Sequence, residues 1–255
     1  MAINVLLLTD FSAMAENAAK YAVKWLDLPV KFYVLHAGES KPGEIEAYIR
    51  KLEDFAGNSN HTFYPVSSTQ NLIDATRKVV AEKEIQLIVM GASGKNSPQV
   101  RGIGNNTYNV IRKVKCPVLT IAGNGCFNPW NTLLFPVDYS IMLNGGMLDI
   151  FKKFPMKPAP VFDVWEINGN KQEELQKSNF RIELSERLNP WRVNFNEIGS
   201  PGDELSNKFW EKARKGANLV VLAARNLRIS DELLTQAPDF GDSNESRPPV
   251  LILHG

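Results

Sequence analysis

The chain has 255 residues, which is enough for one large domain or two domains of ordinary size. Its composition, 44% apolar and 22% charged, is typical of globular proteins, and its net charge of +1 gives no overall attraction to nucleic acid or to an anionic membrane. The two cysteines lack metal-ligand spacing, the N-terminus lacks the basic region of a signal peptide, and no apolar run reaches the roughly 20 residues that span a bilayer. We therefore expect a cytoplasmic protein that needs no disulfide and binds neither nucleic acid nor membrane.

Short apolar runs alternate with amphipathic segments along the whole chain, and Ser12 is the expected N-cap of the first helix. In the first half the pattern predicts strands at 3–9, 30–36, 62–66, 85–90 and 117–122, and helices near 13–26, 42–55, 70–83 and 105–114. In the second half it predicts strands near 131–137, 160–166, 192–198, 217–222 and 249–253. The strand runs lack polar alternation, as in parallel sheets covered by helices on both faces, so we predict an α/β fold.

Three apolar runs of the first half recur in the second half in the same order. INVLLLTDFS matches NTLLFPVDYS, which places Asp10 over Asp138 at an offset of 128 residues. QLIVM matches NLVVL, and CPVLTI matches PPVLIL, both at an offset of 132. Three matches in register indicate an internal duplication. We predict two homologous domains, 1–123 and 130–255, each a doubly wound, Rossmann-like parallel sheet of five strands.

The loop after the fourth strand holds the residues that indicate chemistry. Gly91 and Gly94 are separated by two residues, nine more residues precede Gly104, and the next helix is predicted to begin at Asn105. Glycines let a backbone approach an anion closely, and the first N–H groups of a helix attract phosphate. The loop also lies at the carboxyl ends of the strands, where open α/β sheets bind ligands. The chain contains neither a Walker-type P-loop nor a GxGxxG sequence after its first strand.

The spacing Gly91-x2-Gly94-x9-Gly104 resembles the signature of the ATP-binding branch of the universal stress protein family, and TDFS, VLHA and CPVLTI resemble other blocks of that family in the same order. The resemblance implies that Asp10 lies near the base and ribose of an adenine nucleotide. It implies that Ala37 offers backbone groups to the adenine and that the three glycines admit ribose and phosphates. It also implies pairing through the last strands, so we expect the two domains to pack as an internal pseudo-dimer, with a further homodimer left open.

The complete set of expected ligand-binding residues is Asp10, Ala37, Gly91, Gly94, Lys95, Gly104, Asn105 and Asn106. The family has Ser or Thr where this chain has Asn105, which can still cap a helix but is larger and favours a changed phosphate geometry or a shorter nucleotide. We expect the ligand to be ATP, with ADP and AMP as alternatives, and we leave open whether a divalent cation binds with it. Asp10 has the alternative role of capping the first helix together with Ser12. His36 is expected to be structural.

No general base, metal-ligand cluster or nucleophile signature stands out, so we assign no catalytic residue and no protein partner. The leading hypothesis is a stress-response or signalling protein that acts by binding a nucleotide. One alternative is slow ATP hydrolysis or phosphoryl transfer through Asp10 and a divalent cation, and another is a structural interaction module without a ligand.

The second half is expected to bind no nucleotide in the same manner. At an offset of 132, the three motif glycines map to Ala223, Asn226 and Gln236, and Asn105 maps to Ala237. Pro238 is expected to limit how much helix forms in that loop.

Overall fold

The computed structural model describes residues 3–57, 59–93, 103–123, 125–139, 146–154, 156, 158–167, 174–198, 205–224, 227–235 and 247–254. Two compact units divide the chain, Met1–Phe127 and Asn128–Gly255.

Strands and helices alternate through the described residues of the first unit. The strands are Ile3–Leu8 (β1), Val30–Ala37 (β2), Thr62–Ser68 (β3), Leu87–Gly91 (β4) and Val118–Ile121 (β5). The helices are Ala13–Trp25 (α1), Glu44–Ala56 (α2), Leu72–Glu82 (α3) and Asn105–Lys113 (α4). The strands are parallel and lie in the order β3-β2-β1-β4-β5. The predicted α/β fold is confirmed in this unit.

The central strands are apolar because both faces of the sheet are covered. Leu6 of β1 and Ile88 of β4 are fully buried. The helix α1 buries one side, which includes Ala18 and Ala22, and begins where Ser12 accepts a hydrogen bond from the N–H of Ala15 at 3.1 Å. The predicted N-cap at Ser12 is therefore confirmed.

The second unit has the same strand order. Its strands are Thr132–Val137 (β6), Val161–Ile167 (β7), Arg192–Ile198 (β8), Leu219–Ala223 (β9) and Val250–Leu253 (β10). Its helices, within the described residues, are Asp149–Lys153 (α5), Glu174–Leu188 (α6), Leu205–Gly216 (α7) and Leu227–Thr235 (α8). The parallel strands follow the order β8-β7-β6-β9-β10, which repeats that of the first unit.

The position of α8 corrects one expectation from the sequence. Residues 92–104 separate β4 from α4, whereas only residues 224–226 separate β9 from α8. The offset of 132 therefore does not place Gln236 and Ala237 at a helix start, since α8 has already ended at Thr235. Both mapped residues lie outside the described part of the chain, and Pro238 does not prevent a nine-residue helix.

Equivalent hydrogen bonds show that α4 and α8 are counterparts. The hydroxyl of Thr107 in α4 donates to the carbonyl of Gly91 at 3.0 Å. The hydroxyl of Ser230 in α8 donates to the carbonyl of Ala223 at 2.7 Å. The extra residues therefore precede the helix in the first unit and follow it in the second.

Within the described ranges, none of the helices is both long enough and apolar enough to cross a bilayer.

Candidate functional site

The candidate site lies at the carboxyl ends of three neighbouring strands of the first unit. The strand β1 pairs with β2 on one side and β4 on the other, so the strand order reverses beside it. Crevices at such a reversal are where open α/β sheets bind ligands. Asp10 follows β1, Ala37 ends β2 and Gly91 ends β4. The structure thus places these three predicted residues along one edge of the sheet.

Asp10 shapes the turn that enters α1. Its carboxylate Oδ1 accepts a hydrogen bond at 3.0 Å from the N–H of Ser12, which is the N-cap, so Asp10 supports the start of the helix without capping it. Phe11 has a left-handed φ of 57°, an uncommon conformation for a residue with a bulky side chain. The N–H of Phe11 donates to the hydroxyl of Thr9 at 2.9 Å. The side chains of Thr9 and Asp10 therefore stabilise this unusual turn.

Gly91 has a packing role that does not depend on any ligand. A Cβ atom at this position would lie 3.1 Å from the carbonyl oxygen of Ser93 and 3.3 Å from the backbone carbon of Met14. Since Met14 lies in the first turn of α1, Gly91 allows the end of β4 to approach that helix closely. The glycine that the sequence assigned to phosphate binding is thus also required by the fold.

Gly104 forms a backbone hydrogen bond that joins the two ends of the loop that carries the glycine motif. Its N–H donates to the carbonyl of Ala92 at 2.8 Å, and the N–H of Ala92 donates to the carbonyl of Ile121 at 2.8 Å. The start of α4 is therefore held beside the end of β4. Gly94 and Lys95, the other predicted residues of this loop, lie outside the described residues.

The start of α4 differs in one detail from the expectation. Gly104 is the N-cap, with a φ of −68° and no side-chain capping bond, and Asn105 is the first helical residue. Asn105 therefore does not cap the helix. Asn105 and Asn106 are exposed in the first turn, where backbone N–H groups have no partner within the helix.

An aromatic cluster that the sequence did not predict as a unit supports the Asp10 side of the site. The rings of Phe11 and His36 stack with centroids 4.5 Å apart, and Phe11 meets the ring of Tyr48 edge-on at 5.8 Å. Tyr48 is buried, which raises the pKa of its phenol. The Thr9 side chain acts against this rise, but no atom among the described residues lies in hydrogen-bond geometry with the hydroxyl. The only sequence signal was an aromatic residue following TD and a histidine at the end of a strand.

The second unit holds a buried ion pair at the matching edge of its sheet. Glu166 is fully buried and lies beside Val137 in the register of β7 with β6. Its carboxylate accepts hydrogen bonds from the hydroxyl of Tyr139 and from the guanidinium of Arg181, whose Nε lies 2.7 Å from Oε1. Arg181 also reaches Glu197 at 3.4 Å. The sequence signal was a charged residue in the otherwise largely apolar run VFDVWEI.

Hydrogen bonds keep Glu166 ionised in spite of its burial. Burial alone would raise its pKa, but the hydrogen bonds from Arg181 and Tyr139 and the positive charge of Arg181 outweigh that effect and lower the pKa. The same pair raises the pKa of Arg181. This cluster ties α6 to β7 through charges and does not resemble the first unit's stacked rings.

Among the described side chains, no group of three or more His, Cys, Asp and Glu residues is arranged to hold a metal ion.

Comparison with known proteins links the chain to one family. Residues 65–122 match the model of the universal stress protein family. This segment begins within β3 and includes β4, the glycine loop, α4 and β5. No curated protein sequence matches the chain.

Solved structures share the fold along the whole chain. A universal stress protein from Archaeoglobus fulgidus is 12% identical with a TM-score of 0.62, over 98% of this chain and 95% of that one. A functionally unknown protein from Pseudomonas aeruginosa PAO1 is 14% identical with a TM-score of 0.60, over 99% and 92%. The cytoplasmic domain of a prokaryotic cation chloride cotransporter is 10% identical with a TM-score of 0.59, over 100% and 96%. Residues 65–122 therefore match the universal stress protein family, and the chain as a whole shares its fold with the universal stress protein from Archaeoglobus fulgidus.

Proposed function

We propose that the first unit binds an adenine nucleotide at the carboxyl edge of its sheet, and that the protein acts in stress response or signalling through this binding. ATP is the first candidate ligand, with ADP and AMP as alternatives. Asp10 and Ala37 would hold the base and ribose, and the loop from Gly91 to Asn106 would hold the phosphates.

The observation that carries the proposal is the hydrogen bond from Gly104 to Ala92. This bond holds the start of α4 at the edge of the sheet where Asp10 and Ala37 also lie. The N–H groups of Asn105 and Asn106 have no acceptor among the described residues. Free N–H groups at a helix start, with the positive end of the helix dipole, attract phosphate.

The family match adds independent support because residues 65–122 include the whole glycine loop and α4. The phosphate side of the site therefore lies within the segment that carries the family's sequence. The residues proposed to contact the base and ribose, Asp10 and Ala37, precede that segment in the chain. They lie at the carboxyl ends of β1 and β2.

Thermal unfolding with and without nucleotide tests the proposal. A ligand at a hundred times its Kd that binds only the native state adds about 2.7 kcal/mol of stability. In a chain of this size each kcal/mol raises Tm by about 2–4 °C. We expect Asp10→Ala to remove most of the nucleotide-induced shift.

Asp138→Ala is the matched control, since Asp138 follows β6 as Asp10 follows β1. This variant should keep the full shift. Unchanged Tm values for the wild-type protein with millimolar ATP, ADP and AMP would contradict nucleotide binding and favour the structural module. Phosphate release that exceeds background and disappears in Asp10→Ala would instead favour the enzyme.

A further inference from the structure

His36 connects two loops of the candidate site through its ring. Its Nδ1 lies 2.9 Å from the carbonyl oxygen of Thr9, which follows β1. Its Nε2 lies 3.2 Å from the carbonyl oxygen of Glu39, which follows β2. The imidazole therefore spans the gap between the two segments that hold Asp10 and Ala37.

Both contacts can be hydrogen bonds only when the imidazole carries two protons. A carbonyl oxygen accepts and never donates, and a neutral imidazole has a single N–H. In the neutral ring one nitrogen must turn a lone pair toward a carbonyl oxygen. The contact with Thr9 is shorter and partly buried, whereas the contact with Glu39 is exposed. The neutral ring would thus keep the bond to Thr9 and lose the bond to Glu39.

Backbone hydrogen bonds hold Thr9 and Gly38 in place whatever the protonation state of His36. Protonation of the ring therefore affects the position of Glu39. The N–H of Thr9 donates to the carbonyl of Leu35 at 3.0 Å, and the N–H of Gly38 donates to the carbonyl of Ser68 at 2.9 Å. Gly38 has a φ of 132°, a conformation open to glycine, and the chain turns away from the sheet after it. The hydrogen bond from His36 Nε2 to the carbonyl of Glu39 links this residue to the loop after β1, which the same ring contacts through Nδ1.

We propose that His36 is a proton-dependent positioning residue: its doubly protonated ring joins the loop after β1 to the loop after β2 and so preforms the Asp10–Ala37 side of the nucleotide site. This inference rests on the proposed function for its effect on ligand binding, and on the ring geometry alone for its effect on the loop.

The titratable groups around this ring and the neighbouring phenol of Tyr48 come from four parts of the unit. They are Asp10 after β1, Glu39 after β2, Tyr48 on α2 and Glu16 on α1. Carboxylic acids and phenols ordinarily titrate outside the range of about pH 5–8 in which imidazoles do. The ring's positive charge also favours an anionic ligand nearby.

The first experiment needs no ligand. Amide hydrogen exchange of residues 37–40 is measured at pH 5.5 and pH 8 and corrected for the intrinsic pH dependence of exchange. We expect at least about threefold greater protection at pH 5.5 in the wild-type protein. His36→Asn keeps a donor at the position of Nδ1 but cannot reach Glu39, so its protection should be low at both pH values. Equal protection in the wild-type protein at both pH values, or a pH dependence that survives in His36→Asn, would overturn the inference.

The second experiment measures the Kd for ADP by calorimetry at pH 6 and pH 8. Titration of the ADP phosphate is common to every variant and cancels in the comparison. We expect the wild-type Kd to rise about threefold to tenfold more than the His36→Asn Kd between these pH values. An equal rise in both proteins would refute the link between His36 and binding. Absence of ADP binding at either pH in the wild-type protein would refute the proposed function, while the exchange data would still decide whether His36 holds the loop.

Discussion

Phe11 and Tyr139 adopt the same left-handed backbone conformation at the same point of the two units, with φ values of 57° and 60°. In each unit the ring also meets edge-on an aromatic ring of the helix between the second and third strands. Phe11 contacts Tyr48 with centroids 5.8 Å apart, and Tyr139 contacts Phe180 at 5.4 Å. The two units therefore share the backbone conformation of one unusual turn and an aromatic ring that packs on it.

The neighbours of these two residues differ in chemistry. Phe11 stacks on His36, whereas Tyr139 donates a hydrogen bond to buried Glu166. His36 and Glu166 are counterparts, because each lies beside the residue that ends or follows the first strand of its unit. The first unit thus has an imidazole where the second has an ion pair.

Replacing Arg181 by methionine should destabilise the second unit at neutral pH. Among the described residues, Glu166 would keep the hydroxyl of Tyr139 as its hydrogen-bond donor, and breaking a buried ion pair by removing one partner costs about 3–5 kcal/mol. Since Arg181 is partly exposed, we expect about 3 kcal/mol, measured by urea unfolding at pH 7.

The pH dependence of this difference has a definite sign. The pKa of Glu166 lies below its ordinary value of 4.5, so the ion pair stabilises the protein above that pH and its contribution is lost as the pH falls through the lowered pKa. The difference in the free energy of unfolding between the wild-type protein and Arg181→Met should therefore become smaller in acid. Arg187→Met removes a surface pair with Glu183 on the same helix and should cost less than about 1 kcal/mol. If Arg181→Met lost no more stability than Arg187→Met, the buried pair would not be a major contributor to the free energy of unfolding.

The same substitution should have opposite effects at two tyrosines. Tyr139→Phe removes a hydrogen bond to a buried carboxylate and should cost about 1.5–3 kcal/mol. Tyr48→Phe removes a buried hydroxyl without a partner among the described residues and should stabilise the protein by about 1 kcal/mol. Denaturant midpoints of the two variants test this difference. A clear loss of stability in Tyr48→Phe would show that its hydroxyl is hydrogen-bonded in solution.

An alanine at Gly91 should destabilise the first unit even without ligand. The new Cβ would lie within 3.4 Å of backbone atoms of Ser93 and Met14, which cannot move as a flexible side chain would. Overpacking of this kind costs about 1–3 kcal/mol. Gly216→Ala, in a helix with nothing within 4 Å of the added atom, should be neutral or stabilise by up to about 1 kcal/mol. Similar Tm values for both variants would exclude the packing role of Gly91.

Calorimetric titration should give about one nucleotide per chain. In the second unit α8 follows β9 after residues 224–226, which leaves no counterpart of the long loop that precedes α4. Gly104→Val, which adds β-branched bulk at the N-cap of α4, should reduce the stoichiometry to none while the chain stays folded by circular dichroism. Two equivalent sites per chain would contradict the divergence of the units.

The amino-acid sequence by itself determined the strands of both units and the helices of the first unit. The strand and helix positions followed from the spacing of apolar residues, and the start of α1 followed from Ser12. These signals are local, since a buried strand or an N-cap is encoded within a few neighbouring residues. The spacing of the three glycines, and its resemblance to a known family, could likewise be recognised within one continuous segment of the sequence.

Only the tertiary structure decided which distant side chains meet. His36 bonds to Thr9 across 27 residues, and Arg181 bonds to Glu166 across 15, so neither pair is visible in a local pattern. The place of α8 was also missed, because a constant offset counts residues but does not show on which side of a helix a loop lies. That choice depends on packing: the bond from Ser230 to the carbonyl of Ala223 holds α8 against the end of β9, as the bond from Thr107 to Gly91 holds α4 against the end of β4.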